Sequence, residues 1–136
     1  MLAANALAAG WGSVAWVRRE PSVWFWYLLR IGQVVVVAQV AFGMWLLISG
    51  NQPRDELHYL YGVGILAVTM ISEGMRVGAA QAELAGVEDV DALDRAEQAA
   101  LARRVVLREM GVMTIGTLLI VTLALRAGAS AGGFGI

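Results

Sequence analysis

Residues 54–76 constrain the fold more than any other stretch of the chain. Arg54, Asp55 and Glu56 open it and His58, the only histidine, follows. An apolar run then continues to Glu73, which sits inside the last apolar turn just before Arg76. About 20 predominantly apolar residues are what a helix needs to cross a hydrocarbon core of about 30 Å. The stretch therefore reads as a membrane span with ionisable groups at both ends. The rest of the chain repeats the pattern. It is 59% hydrophobic and 15% charged with a mean hydropathy of +0.67, whereas soluble domains carry about 25% charged residues. Lipid is the expected solvent, and 136 residues fit one domain.

Four apolar stretches predict an all-α membrane protein, a four-helix antiparallel transmembrane bundle with spans at about 1–17, 23–48, 56–76 and 105–126. The first is apolar except for Asn5 and Ser13, and its nearest charges, Arg18 and Arg19, come after it. That order is the reverse of a signal peptide and predicts an uncleaved span, with a re-entrant segment as the alternative at this marginal length. Pro21 and Ser22 then suit a helix start. Trp24, Phe25, Trp26 and Tyr27 form an aromatic belt with Trp11 and Trp16, and Trp45 marks the opposite face. Helix three is expected to end near Arg76. Residues 77–104 form the only substantial polar segment, acidic at its tip through Glu83, Glu88, Asp89, Asp91, Asp94 and Glu97. The pattern Asp94-Arg95-Ala96-Glu97 fits a capping box. A long fourth helix starting there would stand out of the bilayer as a helical hairpin. The small, Gly-rich tail 127–136 is expected to be disordered.

All ten basic residues are arginines. Arg18, Arg19, Arg30, Arg76, Arg95, Arg103, Arg104 and Arg108 fall on one side of the spans, and Arg54 and Arg126 on the other. The positive-inside rule makes the first side cytoplasmic. The chain is then a multi-pass protein of the plasma membrane with both termini outside and the 77–104 hairpin in the cytoplasm.

Depth along the spans groups the polar residues into two clusters. Near the cytoplasmic side lie Arg30, Gln33, Glu73, Arg76, Arg108 and Glu109. A charge at the centre of a span costs about 2.5–3.5 kcal/mol, so such groups face one another rather than lipid. Arg30 with Glu73 is the expected pair, as a lock on helix register or as an ion, proton or headgroup site. On the outer side Asp55, His58 and Tyr61 recur every three residues along one helix face. An Asp one turn before a His suits a proton relay or pH sensor, and equally a plain helix cap beside an interfacial imidazole. No cofactor is expected: a single histidine rules out bis-histidine haem ligation, and a haem held by His58 and Met44 at that depth is the minor alternative. No metal site is expected, because the chain has no cysteine and a single histidine. The net charge of −1 offers no footprint for nucleic acid.

The segments Trp26-Tyr27-Leu28-Leu29-Arg30 with Gln33, Leu57-His58-Tyr59-Leu60-Tyr61-Gly62, Glu73-Gly74-Met75-Arg76 and Arg108-Glu109-Met110-Gly111-Val112-Met113 run through nearly the whole chain. In them the chain resembles small, uncharacterised four-span integral membrane proteins of actinobacteria. The resemblance implies a plasma-membrane location and no particular activity. No phosphate-binding loop, acyl-transfer triad or paired Asp motif is present. The leading expectation is a non-catalytic accessory or scaffold subunit, touching the lipid bilayer and a membrane-protein partner or a second copy of itself. The alternative is a small transporter, channel or proton-sensing element using Arg30, Glu73 and His58.

Overall fold

Local signals set the ends of four helices: α1 (Leu2–Val17), α2 (Val23–Ile48), α3 (Leu57–Leu84) and α4 (Arg95–Ser130). The structure is a computed structural model that describes residues 1–50 and 57–130, with side chains for 1–50 and 59–129. No strand occurs among the described residues. Ser22, in an extended conformation, caps α2 by accepting from the Phe25 N–H at 3.4 Å. α2 ends on Gly50, whose φ of 83° lets its N–H turn back to the Leu47 carbonyl at 3.0 Å. α1 ends through the same geometry, with an arginine where α2 has glycine. Arg19 sits at φ 55°, its N–H bonds to the Trp16 carbonyl at 3.0 Å, and the Glu20 N–H reaches the Ala15 carbonyl at 2.9 Å.

The start of α4 is a reciprocal cap. Asp94 Oδ1 accepts from the Glu97 N–H at 2.8 Å, and Glu97 Oε2 accepts from the Asp94 N–H at 3.1 Å. Gln98 closes the preceding turn by donating Nε2 to the Val90 and Leu93 carbonyls, both at 3.1 Å. Asp94→Ala is expected to destabilise this end by about 1 kcal/mol. Faster amide exchange confined to residues 95–98 would show it, and unchanged exchange there would contradict it.

Two helix boundaries depart from the sequence expectation. α3 does not stop near Arg76 but runs two turns further to Leu84, because Ala79, Ala80, Gln81, Ala82, Glu83 and Leu84 are helix formers without a breaker among them. α4 continues through Ser130 into the tail expected to be disordered, since Ala127 and Ala129 favour helix around a single tolerated Gly128. Residues 131–136 of that tail lie outside the described residues, as does the turn 51–56.

Consecutive helices run antiparallel, and small residues fix their register. A Cβ on Gly32 would lie 3.0 Å from Asn5 Oδ1, and one on Gly12 would lie 2.5 Å from Phe25 and 2.6 Å from Thr114 Oγ1. Trp16 covers Gly111 in the same way, with indole atoms 2.8 Å from a Cβ placed there, and Ser72 covers Gly116. Backbones thus approach where side chains are absent, the packing mode available when lipid offers no hydrophobic drive between helices. α3 and α4 share the largest interface; α2 and α3 share the smallest of those between adjacent helices.

The interior is layered. Ala15, Phe25, Leu29, Met110 and Met113 make one apolar cluster, and Val36, Ile65 and Ile120 make a second. Between them lie buried polar residues from three helices, Asn5, Thr69, Ser72, Thr114 and Thr117. Much of the outer surface of the helices is apolar. Val23, Trp24, Val34 and Ile48 of α2 are exposed by 69, 70, 67 and 83%, far beyond the scattered apolar residues a water-facing helix shows. α2, α3 and α4 are each long and apolar enough to cross a membrane, whereas α1, with 16 residues, is a shorter apolar helix.

Candidate functional site

The loosest helix interface carries the densest set of charges. On α2, Arg30 and Gln33 lie one turn apart, and Arg30 Nη1 donates to Gln33 Oε1 at 2.7 Å. Across the gap on α3, Glu73 Oε1 accepts from Arg30 Nη1 at 2.7 Å and from Gln33 Nε2 at 2.6 Å. Its second oxygen, Oε2, accepts from Arg76 Nε at 2.8 Å. Arg76 then reaches α4, where its Nη1 donates to Glu109 Oε1 at 3.1 Å. Two arginines and two carboxylates thus alternate across three helices, and their formal charges cancel.

The exposure of the members differs in a way that orders them. The side chains of Glu73, Arg76 and Glu109 are 28, 25 and 16% exposed, against 53% for Arg30. Arg30 is the outer clamp of the set. Arg76 is also covered by Trp26, whose ring centroid lies 5.9 Å from the guanidinium carbon, a cation–π contact. Trp26 reads from sequence as part of the aromatic belt. Its extra role rests on the pairing of α2 with α3, which no spacing within α2 reveals.

Arg108, expected in this cluster, lies outside it. Adjacent residues on a helix point about 100° apart, so with Glu109 turned toward Arg76 its neighbour cannot face the same way. Arg108 Nη1 instead donates to Glu83 Oε1 at 2.5 Å, with Arg104 Nε 3.7 Å from Glu83 Oε2. That second ion-pair set needs the extra two turns of α3 that bring Glu83 alongside α4.

The outer cluster is largely out of view. Asp55 and the side chain of His58 lie outside the described residues, and with them the pairing of His58 with Met44. Tyr61 is half-buried on α3, and Met44 is exposed on α2. Among the described residues no group of three or more His, Asp or Glu could hold a metal ion.

Behind the ion pairs lies a polar layer absent from the sequence expectation. A cavity of about 10 Å³ is lined by Asn5, Gln33, Thr69, Ser72 and Thr117 among others, drawing its polar groups from all four helices. Thr69 Oγ1 donates to the Ile65 carbonyl at 2.9 Å, and Thr117 Oγ1 to the Met113 and Thr114 carbonyls at 2.9 Å each. Asn5 Nδ2 donates to the Met1 carbonyl at 3.1 Å. Thr114, fully buried, has no hydrogen-bond partner for Oγ1 and faces the α carbon of Gly12. The signal was available: Thr69, Ser72 and Arg76 recur at helical spacing, as do Thr114 and Thr117.

No family model, curated protein or solved structure matches the chain. Its own geometry must therefore carry any functional reading.

Proposed function

We propose that the chain is a plasma-membrane protein with four membrane-embedded helices, acting as a non-catalytic accessory or scaffold subunit. The observation that supports this most is the closed ion-pair set. Glu73 accepts from three donors, Arg76 bonds two carboxylates and lies against Trp26, and the four charges sum to zero. Groups so thoroughly occupied with one another suit a lock on helix register better than an exchanging acid or base. The exposed apolar surface of α2, α3 and α4 supports membrane embedding. α1 is included because it packs on both α2 and α4, and the noted resemblance to small actinobacterial four-span proteins points the same way. A partner protein or a second copy then meets the lipid-facing surface or the acidic hairpin. Purification in mild detergent should retain a stoichiometric companion. A lone chain that carries pH-dependent flux in liposomes would overturn the reading.

A small transporter, channel or proton-sensing element built on Arg30, Glu73 and His58 is the second reading, favoured by the polar cavity beside Gln33. At about 10 Å³ that cavity accommodates no more than one water molecule, which ranks this reading below the first.

The orientation proposed with the first reading places both termini outside and the hairpin in the cytoplasm. Because the chain lacks cysteine, single replacements report each side directly. Ala92→Cys should react with an impermeant maleimide only after the cells are opened, and Ser49→Cys should react in intact cells. The reverse pattern would invert the topology.

A further inference from the structure

We infer that Arg18, Arg19 and Arg103 form a seat for the phosphate of an anionic phospholipid on the face that bears the hairpin, an inference that rests on the membrane reading above. The starting observation is the backbone of Arg19. At φ 55° it is the only described non-glycine residue with positive φ, and it occupies the position after a helix end that glycine fills at no steric cost. α2 uses glycine at the equivalent place, Gly50. An arginine held in a conformation that glycine would adopt more easily points to a use for its side chain.

What surrounds Arg19 indicates that use. Arg103, on α4, donates Nη2 to the Arg19 carbonyl at 2.9 Å, which ties the α1–α2 turn to α4 and brings Arg103 against the backbone that carries Arg18 and Arg19. All three side chains are exposed. Among the described residues none of the three forms an ion pair, and the neighbouring Glu20 is exposed and pairs with none of them. Elsewhere the carboxylates of the α3–α4 interface are spent on Arg30, Arg76, Arg104 and Arg108. The tryptophans give the level of the trio. Trp16 and Trp24 are 41 and 70% exposed, and Trp11 Nε1 donates to Ser22 Oγ at 2.8 Å in the same turn. Exposed indoles collect at the headgroup layer, so the trio lies where lipid phosphates lie. Guanidinium matches phosphate by charge and by paired N–H groups.

The charge order along the hairpin agrees. Arginines crowd its base, and Glu88, Asp89, Asp91, Asp94 and Glu97 crowd its tip. An anionic surface draws in the base and repels the tip, holding the hairpin upright.

The test uses the whole chain, reconstituted in phosphatidylcholine nanodiscs to establish membrane embedding. In neutral detergent it is then titrated with phosphatidylglycerol or phosphatidylcholine, with bound lipids counted by native mass spectrometry. Wild type should bind phosphatidylglycerol at least tenfold more tightly than phosphatidylcholine. Arg19→Gly should lose about fivefold of that affinity, from one basic residue near the headgroups, while melting no lower than wild type. Arg103→Gln should lose as much, and Arg95→Gln, at the far end of the hairpin, should lose nothing. The seat is refuted if Arg19→Gly binds phosphatidylglycerol like wild type, if the two lipids bind alike, or if equimolar inorganic phosphate displaces the lipid. A chain that never enters phosphatidylcholine nanodiscs overturns the membrane reading and the seat together. One that enters and shows no lipid preference overturns the seat alone.

Discussion

Glu73→Gln is expected to lower the stability of the folded chain by about 2 kcal/mol, below the range for removing one partner of a fully buried ion pair because Glu73 is 28% and Arg30 53% exposed. The carboxylate accepts from Arg30, Gln33 and Arg76. The amide keeps the shape but lacks the charge, leaving Arg30 without its carboxylate and Arg76 with Glu109 alone, and its NH₂ group meets donors where an acceptor is needed. Glu83→Gln provides the comparison. Its partners Arg104 and Arg108 are 60 and 55% exposed, so solvent screening reduces that interaction to at most about 1 kcal/mol. Folded yield in membranes and melting in detergent should both fall for the first variant and barely change for the second. Equal behaviour of the two would show that the seam between α2 and α3 is not held by its charges.

The other large effect comes from crowding. Gly116→Val should destabilise the α3–α4 interface by about 3 kcal/mol or more, the upper range for overpacking. A Cβ on Gly116 would overlap Ser72 Oγ and come within 2.9 Å of Ser72 Cβ. The hydroxyl can rotate, but the Ser72 Cβ is fixed to the α3 backbone, so the clash with it remains. Gly12→Val should behave similarly, because Phe25 and Thr114 stand in the way. Gly43→Val and Gly74→Val are the controls, since nothing lies within 4 Å of a Cβ at either position. Thermal melting of all four should separate them into two pairs. Comparable losses at Gly43 or Gly74 would mean that β-branching, rather than contact, is responsible.

These contrasts mark which parts of the molecule could be read from sequence. The all-helical class was legible because apolar length and aromatic flanks are local properties, and the cap at Asp94 because a capping box needs only four consecutive residues. Glu73 stood out because a carboxylate inside an apolar helix is costly without a partner, and Arg30 was the basic residue at matching depth on the preceding span. Arg108 was misplaced because depth gives height but not azimuth. Which face of α4 meets α3 depends on Gly116 under Ser72, a contact between distant parts of the chain. The polar layer of Asn5, Thr69, Ser72, Thr114 and Thr117 was overlooked for a related reason. Hydroxyls that return their hydrogens to their own helix carbonyls leave little mark on hydropathy, and only tertiary packing shows them converging. Trp26 over Arg76 belongs to the same class.

α4 is unbroken for 36 residues, a rod of about 54 Å at 1.5 Å per residue. Glu109, Met110 and Thr114 lie midway along it, inside the bundle. A tilt of its N-terminal end would be carried along the rod to Glu109, whose ion pair is with Arg76 on α3.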